Sequence, residues 1–230
     1  PEWRNDRSEF FKELESYLVQ NDITERSVEQ GFRDYLMSLN EVSNLEVCGM
    51  CQENYEDGKL KYLHVFSRTH NVPYKFYYRR WNEFRKWSAW EKVQVDIRCV
   101  DDGDKSGVHL IPVVWKKRLF LFWPEFLEVP EPPLEDSTQT VASTMESTIA
   151  ELKPKKHWEI KLAWTEYVDG KWSPKQISKE FLTQEYRELM ETDESKLRFA
   201  VEFDSRNTTL YIYLIIEYRY QDGSRAWYMD

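Results

Sequence analysis

A dense aromatic block between residues 61 and 124 limits most strongly what this chain can fold into. Within the block, five short runs rich in aromatic and β-branched residues alternate with turn-like segments, among them Asn71-Val72-Pro73 and the pair Lys116-Lys117. Such runs suit a pleated, half-buried surface, and their spacing indicates an antiparallel β unit. The sequence therefore predicts strands at residues 63–68, 74–81, 90–97, 110–115 and 118–123.

The composition favours a folded domain with a sizeable core. Of the 230 residues, 41% are hydrophobic and 16% are aromatic, whereas disordered chains contain few aromatic residues. The formal charge of −9 disfavours nonspecific binding to nucleic acid or to an anionic membrane, since both depend on Lys and Arg neutralising phosphate. No apolar run approaches the roughly 20 residues needed to cross a bilayer. Because the chain begins Pro-Glu-Trp-Arg, we expect a segment of a longer polypeptide.

Two amphipathic patterns precede the aromatic block. Residues 6–20 place Phe10, Phe11 and Leu14 at helical spacing, with Asp6 or Ser8 as the N-cap. A second pattern begins at Thr24, a good N-cap, and its apolar residues fall at positions 28, 32, 35, 36 and 39. This spacing is one continuous helical stripe. We expect a short N-terminal helical pair whose apolar stripes are covered by the β body or by other protein.

A Pro-rich, acidic Ser/Thr stretch separates the block from a second set of strand-like runs. Gly-Lys-Trp-Ser-Pro at 170–174 resembles Trp-Ser-Ala-Trp at 87–90, which suggests a weak repeat of a sheet-sized unit. In this part we predict a short helix over 178–191, a hairpin over 199–218 and a central position for its last, long apolar strand. The predicted divisions are a helical lead-in (1–43), a first β unit (44–134), a flexible linker (135–156) and a second β unit (157–230). The fold class is mainly β, with antiparallel sheets arranged like propeller blades or like a sandwich.

The sequence contains few signatures of catalysis, metal binding or cofactor binding. No glycine-rich phosphate loop, HExxH or nucleophile elbow is present, and we predict no cofactor, no metal and no enzymatic activity. Cys48 and Cys51 have the spacing of a zinc or redox pair, but no second close pair of ligands accompanies them, so we interpret them as structural thiols. Asp101-Asp-Gly-Asp104 has alternating oxygen ligands but lacks the distal Glu of a calcium loop. We interpret it as a solvated hairpin loop.

Tryptophan and arginine side chains are the best candidates for binding. Tryptophan rings can stack on sugars or fill cores, and guanidinium groups bind carboxylates well. A sialidase would need several arginines to converge on the sugar carboxylate. We interpret the arginines on or beside the strands as side chains that cover aromatic faces. The candidate contacts to a glycan or to an interface are Trp87, Trp90, Trp115, Trp172, Arg68 and Arg118.

The motifs of the block also resemble a known family. NLEV at 44–47, HVFSRTHNVPYKFYYRRW at 64–81, WSAWEKVQVDI at 87–97 and HLIPVVWKKRLFLFWP at 109–124 are similar to the neuraminidase-like region of the A subunit of bacterial insecticidal toxin complexes, the Tc toxins. YLMSLNEV at 35–42 resembles the helical segment that precedes that region. The likeness is dense over about residues 30–134 and loose from 157 onward.

This resemblance implies a sialidase-related β fold without known sialidase activity. It also implies a secreted, pentameric A-subunit assembly whose shell contains this region and opens in response to pH. We therefore predict a non-catalytic structural and interaction module, with the other subunits and the rest of the parent chain as partners. The alternatives are a lectin-like domain that binds host glycans and, ranked last, a sialidase-type glycosidase.

Overall fold

The computed structural model describes residues 7–84, 86–98, 110–130, 156–185, 198–204, 208–217 and 222–229. Two helices lead into antiparallel strands, which confirms the predicted mainly β class with an N-terminal helical pair. No helix among the described residues is both long and apolar enough to span a membrane. The elements are α1 Glu9–Gln20, α2 Glu25–Ser43, β1 Glu46–Asn54, β2 Leu60–Arg68, β3 Phe76–Asn82, β4 Glu91–Lys92, β5 Ile111–Trp115, β6 Arg118–Pro130, β7 Lys156–Val168, β8 Lys171–Trp172, β9 Gln176–Glu185, β10 Arg198–Phe203, β11 Leu210–Glu217 and β12 Asp222–Met229.

The two helices begin at well-formed caps. The Ser8 side chain accepts a hydrogen bond from the Phe11 amide at 3.2 Å, so the prediction of Ser8 as the first cap is confirmed. The alternative cap, Asp6, lies outside the described residues. Thr24 and Ser27 cap each other's backbone amides at the start of α2, as a capping box does. The caps satisfy amide groups that have no partner within the helix. They explain why both helices start where they do.

Helix α1 lies between α2 and the first sheet. Its buried residues are Phe10 and Leu14, and the Phe10 ring meets Tyr77 of β3 edge-on, with 6.3 Å between ring centroids. On the other side, Gly31 of α2 comes so close to α1 that an added Cβ would lie 2.9 Å from a Tyr17 ring carbon. Glycine therefore permits the close crossing of the two helices.

The first sheet is a meander of β1, β2, β3 and β4 in chain order. Its register sets His64 opposite Cys51 on β1 and opposite Arg80 on β3. The predicted strand over 90–97 is wrong for most of its length, because β4 contains only Glu91 and Lys92. Val93 and Ile97 are nonetheless buried. Aromatic and β-branched composition reports burial, and here burial occurs without a ladder of backbone hydrogen bonds.

The second sheet has the order β5-β6-β7-β8, and β9 also pairs with β7. The predicted tight hairpin is confirmed between β5 and β6, where Lys116 and Lys117 have φ values of 50° and 62°. Two positive φ values in a two-residue loop are typical of the turn that matches strand twist. The predicted helix over 178–191 is wrong, since residues 178–185 belong to β9, and 186–191 lie outside the described residues. Pairing with β7 outweighs the helix propensity of this segment.

The third sheet has β11 between β10 and β12, which confirms the central position predicted for this apolar strand. The prediction that it is the last strand is wrong, since β12 follows it. Contacts divide the chain into two compact units. The first contains Pro1–Cys99, Val108–Trp123 and Trp164–Lys175, and the second contains the remaining residues. The end of β7 and the whole of β8 thus belong with the first unit. Residues 101–107 and most of the predicted linker, 135–155, lie outside the described residues.

Candidate functional site

Arg68 and Arg118 lie at strand ends, and each already contacts a carboxylate. At the end of β2, Arg68 donates from Nε and Nη2 to Glu46 Oε2 at 3.0 and 2.9 Å. At the start of β6, Arg118 donates from Nη1 to Glu166 Oε1 at 3.0 Å. These ion pairs have separate partners on separate strands. The described contacts therefore do not join the two arginines in one anion site.

Trp87 and Trp90 enclose the guanidinium group of Arg79, a residue that the sequence did not single out. The distances from the guanidinium carbon to the two ring centroids are 4.0 and 4.2 Å. Two hydrogen bonds hold this segment against β3: the Ser88 amide donates to the Arg80 carbonyl at 2.8 Å, and the Arg80 amide donates to Ser88 Oγ at 3.0 Å. The fold-back after β3 places both indoles over one cation. This is a stacked Trp-Arg-Trp cluster.

Trp115 and Trp172 take part in packing. Trp115 is 3% exposed, and the Lys116 ammonium lies 4.1 Å from its ring centroid. Trp172 is half-buried in an aromatic cluster of the first unit, whose other members lie 4.9 to 5.7 Å from it between ring centroids: Phe66, Tyr78 and Tyr167. These positions favour a packing role for both rings.

A hydrogen-bonded chain of polar groups lies beside this aromatic cluster. His64 Nδ1 and the Tyr78 hydroxyl are 2.8 Å apart, and His64 Nε2 is 3.4 Å from Glu53 Oε2. Glu53 accepts a second, shorter bond from Lys61 Nζ at 2.6 Å. A neutral histidine can satisfy both neighbours, since Nε2–H faces the carboxylate and Nδ1 accepts from the tyrosine. The chain thus connects a buried ring to a half-buried ion pair.

Burial is the largest influence on the pKa values of His64, Tyr78 and Cys51. It lowers the pKa of His64, and the hydrogen bond and charge of Glu53 oppose that shift. It also raises the pKa of Tyr78 far above its usual value. The Cys51 thiol, opposite His64 in the register, has its pKa raised to about 12 by burial and then by the charge of Glu53. These groups are therefore neutral near pH 7, as a packed interior requires.

One tyrosine–carboxylate pair has the chemistry closest to that of a hydrolase. The Tyr167 hydroxyl donates to Glu91 Oε2 at 2.6 Å. A sialidase uses a tyrosine as its nucleophile, and a nucleophile needs an adjacent base. Burial, followed by the hydrogen bond and charge of Glu91, raises the pKa of Tyr167 well above its usual value. The ring also packs on Tyr78 and Trp172. The pair supports the aromatic cluster better than it supports nucleophilic attack.

The cysteine pair lies on the first strand of the first sheet. Cys48 and Cys51 are both half-buried on β1, with a register irregularity between Val47 and Gly49. Among the described residues, no group of three or more His, Cys, Asp or Glu side chains could hold a metal ion. Cys99 and the acidic 101–104 segment lie outside the described residues.

Comparison with known proteins gives a consistent family. A sequence profile of the neuraminidase-like domain matches residues 45–216. Toxin subunit YenA2 of Yersinia entomophaga is 28% identical over 142 residues, which cover 57% of this chain and 10% of that protein. The fold is similar to part of Morganella morganii TcdA4, with a TM-score of 0.64 and 17% identity over 96% of this chain and 9% of that chain. Yersinia pseudotuberculosis TcaA-TcaB aligns over 79% of this chain and 8% of its own, with 17% identity and a TM-score of 0.44.

These relatives are far longer than the present chain, which spans about a tenth of their length. The match to the family profile covers more than half of the chain and includes the β1–β4 sheet with its Trp-Arg-Trp cluster. The resemblance predicted from the sequence motifs is thereby confirmed. The chain belongs to the neuraminidase-like domain family and is similar to the corresponding region of Tc toxin A subunits.

Proposed function

We propose that this domain is a non-catalytic structural and interaction module in the shell of a secreted Tc toxin A subunit. In this proposal it contributes to assembly with the other copies of that subunit, as a pentamer, and to the opening of the shell in response to pH. The matched relative from Yersinia entomophaga is named a toxin subunit, and it supports a role in a toxin complex. The domain works together with the rest of its parent chain.

An uncovered apolar stripe on α2 is the observation that carries the proposal. Phe32, Leu36, Met37 and Leu39 are between 37% and 64% exposed, whereas Gly31 is the one buried residue of this helix. An amphipathic helix normally packs its apolar stripe against another surface, and contiguous exposed apolar patches mark interaction sites. The surface that covers α2 in this proposal is a neighbouring protein segment of the toxin assembly.

The environment of the charged groups supports a role without catalysis. Arg68 and Arg118 are engaged by Glu46 and Glu166, so these guanidinium groups are not held open for a substrate carboxylate. The hydroxyl of Tyr167 is held as a neutral donor. Glycoside hydrolysis requires groups that face a substrate across a cleft. In the described arrangement, each of these groups instead contacts a carboxylate of the domain itself.

The assembly role predicts that a charge on the α2 stripe weakens the oligomer. In the full-length parent subunit, Leu36→Glu should shift the population from oligomer to monomer in mass photometry. The matched control is Gln30→Glu on the same exposed helix, which adds the same charge on a different side of the helix from Phe32, Leu36 and Leu39 and should leave the oligomer intact. If both variants assemble like the wild type, α2 is not an assembly surface.

The absence of catalysis is tested with a fluorogenic sialoside. Purified protein should release no product above the rate of a buffer blank between about pH 4 and pH 8, a range that spans the titration of carboxylates and histidine. Steady turnover that is lost in Arg68→Lys or Arg118→Lys, with the fold intact by circular dichroism, would show that the domain is an enzyme.

The pH response is tested on the parent oligomer. The chain has 41 acidic and 32 basic residues, so like charges accumulate across subunit interfaces as the pH rises, and its four His residues gain charge as the pH falls. Electron microscopy should therefore show a changed fraction of open shells between about pH 5 and about pH 11, near the ends of the side-chain titration range. An unchanged fraction over this range would contradict this part of the proposal.

A further inference from the structure

We propose that the Trp-Arg-Trp cluster of Arg79, Trp87 and Trp90 is a binding site for the carboxylate of an acidic sugar. This site goes beyond the shell role and does not depend on it. It is formed by β3 and by the segment that folds back along it. Its chemistry follows from how the guanidinium group is held and from what it lacks.

The two indoles restrain the guanidinium group of Arg79. Its carbon lies over both rings, 4.0 and 4.2 Å from their centroids. A guanidinium group donates hydrogen bonds in its own plane, in a fork that matches a carboxylate. The two ring contacts therefore limit how far the fork can turn, and a carboxylate would pair with it in that plane. Little reorientation of the side chain would be needed on binding.

The charge of Arg79 has no counterpart among the described residues. Its Nε is buried without a hydrogen-bond partner, and the described side chains form no ion pair with it. Arg68 and Arg118, by contrast, each contact a carboxylate. Burial also lowers the pKa of Arg79, with no acidic group acting on it. A partly desolvated cation of this kind gains more from an incoming anion than a fully solvated one would.

Exposed aromatic surface next to the cation favours a sugar as the carrier of the anion. Trp87 is 46% exposed, and Phe84, in the same β3–β4 connection, is 74% exposed. Aromatic faces stack on the apolar faces of sugar rings, as they do on other flat or amphipathic groups. The net charge of −9 opposes an extended acidic protein surface or a nucleic acid, which carry many negative charges. A single carboxylate on a ring meets the least repulsion.

Glucuronate and glucose provide a matched pair of probes, because they differ only at the carboxylate carbon. Titration of the 230-residue chain, followed by the indole N–H resonances of its tryptophans, should show glucuronate shifting the signals of Trp87 and Trp90 and saturating at about 1–10 mM, the range of a weak single-sugar site. Glucose at the same concentrations should leave both signals in place. Equal shifts with the two sugars, or no shift with glucuronate, would overturn the proposal.

Two further experiments test the guanidinium fork and the contact with the sugar ring separately. Arg79→Lys keeps the charge and removes the fork, so glucuronate should bind about tenfold more weakly, as expected when a charge-assisted bidentate contact is lost. Arg33→Lys, on the exposed face of α2, should bind like the wild type. Acetate should bind at least about tenfold more weakly than glucuronate, since it lacks the ring that stacks on Trp87. Equal affinity for acetate would overturn the assignment to a sugar.

A conservative change at Trp87 tests the binding site even if Arg79→Lys does not fold. Trp87→Phe retains an aromatic ring and should weaken glucuronate binding severalfold while the far-ultraviolet circular dichroism is unchanged. Wild-type affinity in this variant would count against the site. Oligomerisation of the parent subunit should be the same in Trp87→Phe as in the wild type, so failure of the sugar site and failure of the assembly role are separate results.

Discussion

The buried contact between His64 and Tyr78 allows a quantitative test of the core of the first unit. The two side chains are 3% and 1% exposed and share a hydrogen bond of 2.8 Å. Tyr78→Phe removes the hydroxyl and leaves His64 Nδ1 buried without its partner. A buried group left unsatisfied costs about 1–3 kcal/mol, whereas replacing both partners with apolar groups of similar shape is close to neutral. We expect Tyr78→Phe to lower the free energy of unfolding by about 2 kcal/mol.

Replacing only one of the two hydrogen-bonding partners should cost more stability than the loss of packing alone, and replacing both should recover part of that loss. The double variant Tyr78→Phe/His64→Phe should be less destabilised than the sum of the single variants by about 1–2 kcal/mol, a coupling typical of residues in direct contact. Urea denaturation of the 230-residue chain at pH 8, followed by tryptophan fluorescence, measures each value. Tyr35→Phe is the control, since the Tyr35 ring contacts Phe11 and no hydrogen bond of its hydroxyl is described. It should change stability by less than about 0.5 kcal/mol. Additivity of the two single variants would refute the reasoning.

Three further predictions concern pH and the turns. Burial raises the pKa of Cys51 from 9.0 to about 12. Because folding favours the protonated thiol, its contribution to stability is complete below pH 9 and is lost as the pH rises. The urea midpoint should therefore fall less steeply above pH 9 in Cys51→Ser than in the wild type. Burial lowers the pKa of His64, so folding favours the neutral ring. The contribution of His64 to the free energy of unfolding is complete above about pH 6.5 and is lost as the pH falls. His64→Phe should therefore flatten the acid side of the plot of urea midpoint against pH. Gly170 has a φ of 78° in the β7–β8 turn, a backbone conformation that most other residues avoid. Gly170→Ala should lower the free energy of unfolding, measured by thermal unfolding, by about 1–2 kcal/mol. Gly170→Asn should lower it less, because Asn tolerates this conformation better than Ala. A melting temperature for Gly170→Ala equal to that of the wild type would contradict the turn argument.

Local sequence signals predicted those elements whose determinants are local. Thr24 begins α2 because its side chain caps a nearby amide, and Lys116-Lys117 forms a hairpin because two strand-like runs flank a two-residue gap. The segment 90–97 has a similar composition, yet most of it makes no ladder. The neighbouring strand β3 begins at Phe76, whose carbonyl accepts from the Val93 amide, so no residue of β3 lies opposite residues 94–97. Residues 178–185 pair with β7, a contact that no helical periodicity within the segment could reveal.

The candidate site was predicted in part for the same reason. The sequence indicates Trp87 and Trp90 as aromatic residues near a strand. It does not indicate their shared partner Arg79, because the contact depends on how the chain turns back after Asn82. The spacing of two tryptophans three residues apart, shortly after a strand arginine, is the signal that could have indicated the cluster. The carboxylate partners of Arg68 and Arg118 lie 22 and 48 residues away in sequence. Spacing within one chain cannot identify such pairs.

The layered position of α2 has a consequence for how this domain can change over time. Helix α2 crosses α1 at Gly31, and α1 supplies the residues that pack on β3, so the outer side chains of α2 are two layers away from the sheet. An ion pair of 2.7 Å between Glu41 and Lys75 joins the end of the helix to the segment before β3. Substitutions at Phe32 or Leu36 should therefore change the exposed apolar surface of the helix while the sheet keeps its stability. A surface in this position can vary in evolution at little cost to folding.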